Sequence, residues 1–241
     1  EIAQCLVGSE MCIRDRLKDV SVTLKKGEIV GVGGLSSCGM HALGKAMFGA
    51  LALESGNVLT GEGEVITTPH MAIEKKIGYV SKDRDVESLC LSASIKDNIA
   101  IAGMEQFAVG GHLITNANEK KYVRKQIQDL SIKCSDENQL TGQLSGGNKQ
   151  KVVFGKWIGC GSEILILDCP TRGVDIGVKQ AMYQLMIQLK KEGRAILLIS
   201  EELPELLGMS DRILIMKDGQ ISHEFMRSEN LTDADVIGYM I

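Results

Sequence analysis

The chain has 241 residues, a formal net charge of −4, and 44% hydrophobic against 24% charged residues. That length suits one large domain or two small ones with a sizeable core, and the acidic balance argues against a nucleic-acid surface, which shows itself as a basic stripe. No apolar run approaches the ~20 residues of a membrane-spanning helix. The seven cysteines form no CxxC pair and the four histidines (His41, His70, His112, His223) stand far apart. Free thiols in a reducing compartment are therefore expected, and a zinc site is not.

The tract Leu6–Asp15, LVGSEMCIRD, suits no folded element and resembles one translated reading frame of a sequencing-library adapter. Residues 1–16 are accordingly set apart as non-native, and the fold is expected over 17–241. Leu17, Val20, Val22 and Leu24 alternate with polar residues as a half-buried strand does. A second strand, Glu28–Val32, runs into GGLSSCG, and helical spacing follows through Leu43, Met47 and Phe48. A turn is expected at 61–64, a short helix from Pro69, and a strand over Ile77–Val80. Between about Asp85 and Gly142 the pattern is helical, with the best segments at 94–102 and 119–130. Downstream come a helix from Ser145 to about Ile158, an apolar strand Ile164–Leu167, and a helix around Val178–Lys190. A strand Ala195–Ser200 follows, then a hairpin turning at Asp218-Gly219. Apolar strands alternating with helices imply an α/β fold whose parallel sheet is covered on both faces.

Gly34 to Gly39, GLSSCG, has the four-residue gap of a GxxxxGK phosphate loop between a strand and a helix. Its candidate nucleotide contacts are Gly34, Ser36, Ser37, Cys38 and Gly39, whose backbone N–H groups would face a phosphate. The loop pattern continues with Lys and then Ser or Thr, but here Met40 and His41 follow. Met supplies no charge to phosphate, and His is a poor ligand for Mg²⁺. Lys45 lies about 9 Å further along the helix axis and on another face, so it does not replace the missing lysine.

Downstream, Leu144–Lys151 reads LSGGNKQK, and ILILDCPTRG is a buried strand ending in Asp168. A phosphate loop, then LSGGN, then a hydrophobic strand ending in Asp-x-Pro-Thr is the order of an ATP-binding cassette. With LSGGNKQKVV, DCPTRGVDIGVK and ISEELPELLGMSDRILIM, the span 17–241 resembles the C-terminal cassette of the tandem ATPase subunits that energise bacterial sugar importers of the ribose, galactose and xylose type, some relatives of which carry nucleosides. The resemblance implies a P-loop nucleotide-binding domain with a mixed-sheet core and a helical subdomain at about 85–142. It also implies ATP and Mg²⁺ as cofactors, the N-terminal cassette of the same subunit and the membrane permease subunits as partners, and a place on the cytoplasmic face of the membrane. The signature residues Ser145, Gly146, Gly147 and Asn148 would grip the γ-phosphate of ATP bound by the partner cassette. Asp168 would hold Mg²⁺ through water, and Asp175 is the acid of the following loop.

Several positions depart from that family. Cys169 stands where a Glu polarises water, Lys82 at the glutamine-loop position and Glu201 at the switch-histidine position. With Met40 and His41, these substitutions remove nearly every side-chain role in phosphoryl transfer. A weak or absent ATPase at this domain's own site is the expectation. Arg84 and Lys96, in the segment 82–98, are read as charges that meet the permease. A soluble cassette acting on ribosomes or DNA would show basic linkers and intact catalytic residues, and neither is present.

Overall fold

The computed structural model describes residues 3–7, 17–110, 113–228 and 231–240. His112 and residues 8–16 of the adapter-like tract lie outside them. The chain divides into two compact units, one of residues 1–79, 163–169 and 183–241, the other of residues 80–162 and 170–182.

The first unit carries the strands. A six-stranded sheet has the order β10-β9-β3-β8-β7-β6, formed by Gln220–Met226, Arg212–Lys217, Ile29–Gly34, Ala195–Ile199, Ile164–Asp168 and Ile77–Val80. β3 lies between β8 and β9 and is parallel to both, and β7 is parallel to β8. Every residue of β7 and β8 is buried, the pattern of strands covered on both faces. The β9–β10 hairpin turns at Asp218 and Gly219, with φ of 51° and 85°, as a two-residue Asp-Gly loop with φ > 0 at both positions should.

A smaller antiparallel sheet has the order β2-β1-β4-β5, from Val20–Leu24, Ala3–Val7, Asn57–Thr60 and Val65–Ile66. β1 begins ahead of Leu17, where the sequence placed the start of the fold. It pairs with β2 from Ala3↔Leu24 to Val7↔Val20 and with β4 from Ala3↔Thr60 to Leu6↔Asn57, so Leu6 and Val7 of the adapter-like tract occupy its last two positions. The strand lies between two others and satisfies both edges, which a reading of alternation alone does not reveal.

The second unit is built on helices. α3 (Ile95–Ala100) opens on a capping box in which Ser94 and Asp97 satisfy each other's backbone N–H. α5 (Asn116–Asp129) and α6 (Gly146–Gly159) are the long members. Gly155 lets α6 come close to its neighbours, since a Cβ there would lie 3.3 Å from Leu130 Cδ1 and 3.5 Å from Ile99 Cδ1.

Candidate functional site

In the first unit, β3 delivers the chain to the loop 35–39 and then to α1 (Met40–Met47). Gly34 is held to glycine because a Cβ would meet the Met216 carbonyl at 2.3 Å, and Gly39 turns the chain into the helix at φ 102°. Leu35, Ser36 and Ser37 are exposed at the tip, whereas Cys38 and Met40 are buried. Burial pushes the Cys38 thiol up, so it stays protonated. Met40 is fully enclosed and its side chain brings no charge to the loop. Lys45 is in the last turn of α1, at the opposite end from the loop, as its spacing predicted.

His41 lies in the first turn of α1. Its Nδ1 lies 2.7 Å from Asp168 Oδ1 and its Nε2 3.5 Å from Glu201 Oε1. Ser36 Oγ donates to the same Glu201 oxygen at 3.1 Å, and Tyr79 OH donates to the other Asp168 oxygen at 3.2 Å. Asp168, the last residue of β7, is only 1% exposed. Cys169 follows it with φ 48°, a left-handed conformation uncommon outside glycine, and its N–H donates to the Ile199 carbonyl at 2.9 Å.

These residues do not fit a magnesium ion. Mg²⁺ takes oxygen ligands in near-ideal octahedral geometry and keeps several waters. Asp168 is shut away from solvent with both carboxylate oxygens bonded to protein, while an imidazole stands at the hydroxyl position and a thiol at the adjacent one.

The signature lies in the second unit. Ser145 is the N-cap of α6, and its Oγ accepts from the Asn148 N–H at 3.4 Å and from Asn148 Nδ2 at 3.0 Å. Asn148 Oδ1 in turn accepts the Lys133 N–H at 2.9 Å. Because Oγ accepts in both bonds, the exposed hydroxyl still has its proton to donate outward. The first turn of α6 contains no acidic residue, and Ser145 at its N-cap is exposed. Gly146 lies close to Arg84 and Gly173, as a Cβ there would be 2.9 Å from Arg84 Nη2 and 3.2 Å from the Gly173 carbonyl. Arg84 Nη1 donates to the Arg172 carbonyl at 2.8 Å and to Gln150 Oε1 at 3.3 Å, tying the signature helix to the loop before α7 (Ile176–Lys191). Asp175 Oδ1 accepts the Val178 N–H at 2.9 Å, one turn into α7.

The family model for ABC transporters matches residues 17–172. The chain belongs to the ABC transporter family. Its relatives include the ribose import ATP-binding protein RbsA of Lactococcus lactis subsp. lactis, 40% identical over 95% of this chain and 46% of the relative. RbsA of Bacillus subtilis is 42% identical over 90% of this chain and 44% of the relative. The chain thus spans about half the length of the curated relatives it matches. Among solved structures, a nucleotide-free ATP-binding cassette from an ABC transporter superposes with a TM-score of 0.79 over 100% of this chain and 99% of its own, at 21% identity. A dimeric ATP-binding cassette bound to ADP and Pi gives 0.80 over 94% of this chain and 99% of its own, at 18% identity. These distant likenesses establish the cassette fold.

For this ABC family member, the first unit gathers Ser36, His41, Asp168, Cys169 and Glu201, all marked in the sequence, into one cluster. Lys82 is instead in the second unit, half-buried beside the turn Arg84–Ser88. Tyr79 was missed, because the alternation of a four-residue strand does not say which carboxylate its hydroxyl meets. Arg84 and Lys96 are half-buried. Arg84 is spent on backbone carbonyls, and Lys96 Nζ lies 3.0 Å from Glu119 Oε2, which raises its pKa. Both side chains join adjoining segments of the second unit.

Proposed function

We propose that the chain is the C-terminal nucleotide-binding domain of the ATPase subunit of a carbohydrate or nucleoside importer. In that assembly it presents Ser145, Gly146, Gly147 and Asn148 to ATP held by the N-terminal cassette of the same subunit. Its own phosphate loop is degenerate and turns over ATP weakly or not at all. The observation that carries this reading is the contrast between two sites: Ser145 keeps a donor hydroxyl exposed at a helix N-terminus with no acidic residue in its first turn, whereas Asp168 is buried and bonded to His41 and Tyr79. The match to about half of each ribose import ATP-binding protein supports a partner cassette in the rest of such a subunit.

Ser145 and the Gly146 and Gly147 amides bind and orient a terminal phosphate with no cation of their own. ATP and Mg²⁺ supply the phosphoryl-transfer chemistry when bound at the partner's loop. The permease partner would meet the second unit at a cavity of about 380 Å³ lined by Leu89, Ala93 and Ile101, near which Val86 stands 80% exposed. Among the described residues no helix is long and apolar enough to cross a membrane, which suits a peripheral place on the cytoplasmic face. ATP hydrolysis by this chain alone tests the reading. The rate should stay at background with saturating Mg²⁺ and ATP, and robust Mg²⁺-dependent turnover would refute it.

A further inference from the structure

The cluster that rejects magnesium has the chemistry to take a different ion. His41, Asp168 and Cys169 offer an imidazole nitrogen, a carboxylate oxygen and a thiol sulfur, all within 4.8 Å of one another. Among the described residues it is the one such group. We propose that His41, Asp168 and Cys169 form a binding site for a borderline divalent cation of the zinc class. The inference uses the first unit alone and stands whether or not the domain donates its signature to a partner.

Donor type argues first. Nitrogen, sulfur and carboxylate oxygen together suit Zn²⁺ and Co²⁺, and a thiolate disfavours Mg²⁺ and Ca²⁺. Geometry argues second. Bonds of about 2.0–2.3 Å from a tetrahedral Zn²⁺ place its ligand atoms roughly 3.3–3.7 Å apart. The His41–Asp168 pair at 2.7 Å therefore has to open by roughly half an ångström or more. The outer contacts argue third. A metal-bound histidine usually gives its other ring N–H to a carboxylate, and His41 Nε2 already faces Glu201 Oε1 at 3.5 Å. Ser36 Oγ steadies that carboxylate at 3.1 Å, and Tyr79 OH holds Asp168 Oδ2 at 3.2 Å, which leaves Oδ1 toward the ion.

The left-handed backbone of Cys169 is held by the bond from its N–H to Ile199, and its thiol lies within 4.8 Å of the other two ligand atoms. Three protein ligands leave a fourth position for water or an anion. His41 at 18% exposure, against 1% for Asp168, puts the open side beside the histidine. On binding, the Cys169 thiol proton passes to solvent and the thiolate bonds the ion. The ion would then join the first turn of α1 to the end of β7 and lock the degenerate loop in its present shape.

Co²⁺ titration of the metal-stripped full chain tests the proposal. We expect one equivalent to produce a thiolate-to-cobalt charge-transfer band with tetrahedral d–d absorption. One equivalent of Zn²⁺ should remove these features, and a hundredfold excess of Mg²⁺ should not. Cys169→Ser should abolish the charge-transfer band, His41→Gln should weaken binding at least tenfold, and Tyr79→Phe should weaken it about tenfold while preserving the spectrum. Circular dichroism reports which variants are folded, and His41→Gln decides the matter if Cys169→Ser is not. No thiolate–cobalt band in the wild-type chain, or a band unchanged in a folded Cys169→Ser or His41→Gln variant, overturns the site.

Discussion

His41 Nδ1 sits 2.7 Å from Asp168 Oδ1, closing 127 positions of sequence with one hydrogen bond. The bond joins the phosphate-loop helix directly to the acidic strand, and it occupies the carboxylate that a cation-dependent site would leave available. The loop keeps its glycine geometry, and Met40 and His41 follow it.

Tyr79 completes the enclosure of that carboxylate. Tyr79→Phe keeps the ring stacked on Phe48, whose centroid is 5.4 Å away, and deletes only the hydroxyl. A hydrogen bond to a buried charged group contributes about 1.5–3 kcal/mol. Urea denaturation should show a loss in that range, and a loss below about 0.5 kcal/mol would mean that Asp168 has found another donor.

Gly147 sets how closely α6 approaches α7. A Cβ there would lie 2.6 Å from Val178 Cγ2 and within 3.3 Å of two more atoms of that stiff side chain. Gly147→Ala should cost about 1–3 kcal/mol through overpacking. Adding Val178→Ala should recover part of it, so a double-mutant cycle should show clear coupling.

The alternation of strands and helices was legible because buried strands such as Ile164–Asp168 are unbroken apolar runs, and because Ser145 and the Asp218-Gly219 pair mark boundaries with specific chemistry. β1 was not legible: Ala3–Val7 is short, adjoins the adapter-like tract, and is fixed by pairing on both edges with β2 and β4. Each substituted site position could be picked out singly. Their meeting could not, since His41 and Cys169 are brought together only by β3 and β7 lying in one sheet with β8 between them. The wide spacing of the histidines hid the metal-like group for the same reason, because its other two members are an aspartate and a cysteine.

Arg84 is expected to act as a structural anchor of the second unit. Arg84→Met removes its bonds to the Arg172 carbonyl at 2.8 Å and the Gly173 carbonyl at 3.4 Å. The chain should lose about 1–3 kcal/mol of stability. Hydrogen exchange should quicken at 170–175, and unchanged protection there would contradict the role.

Lys156 supplies a pH dependence. Burial lowers its pKa from the ordinary 10.5 to about 8, while its Nζ donates to the Ser88 carbonyl at 2.5 Å. Below about pH 8 the ammonium is charged in both states and the folded chain bears the desolvation cost. Between about 8 and 10.5 the unfolded chain binds more protons, so this group's contribution to stability rises with pH across that window. Lys156→Met should therefore compare more favourably with wild type at neutral pH than at high pH. A stability difference independent of pH would exclude the linkage.

ATP turnover by the proposed two-cassette subunit carrying Ser145→Arg tests the central claim most directly. Ser145 is exposed at the N-terminus of α6, so arginine there loses a cap contributing about 1 kcal/mol and blocks the phosphate's approach. Turnover should fall to background although the partner's phosphate loop is untouched. Turnover at the wild-type rate would show that this signature serves no ATP.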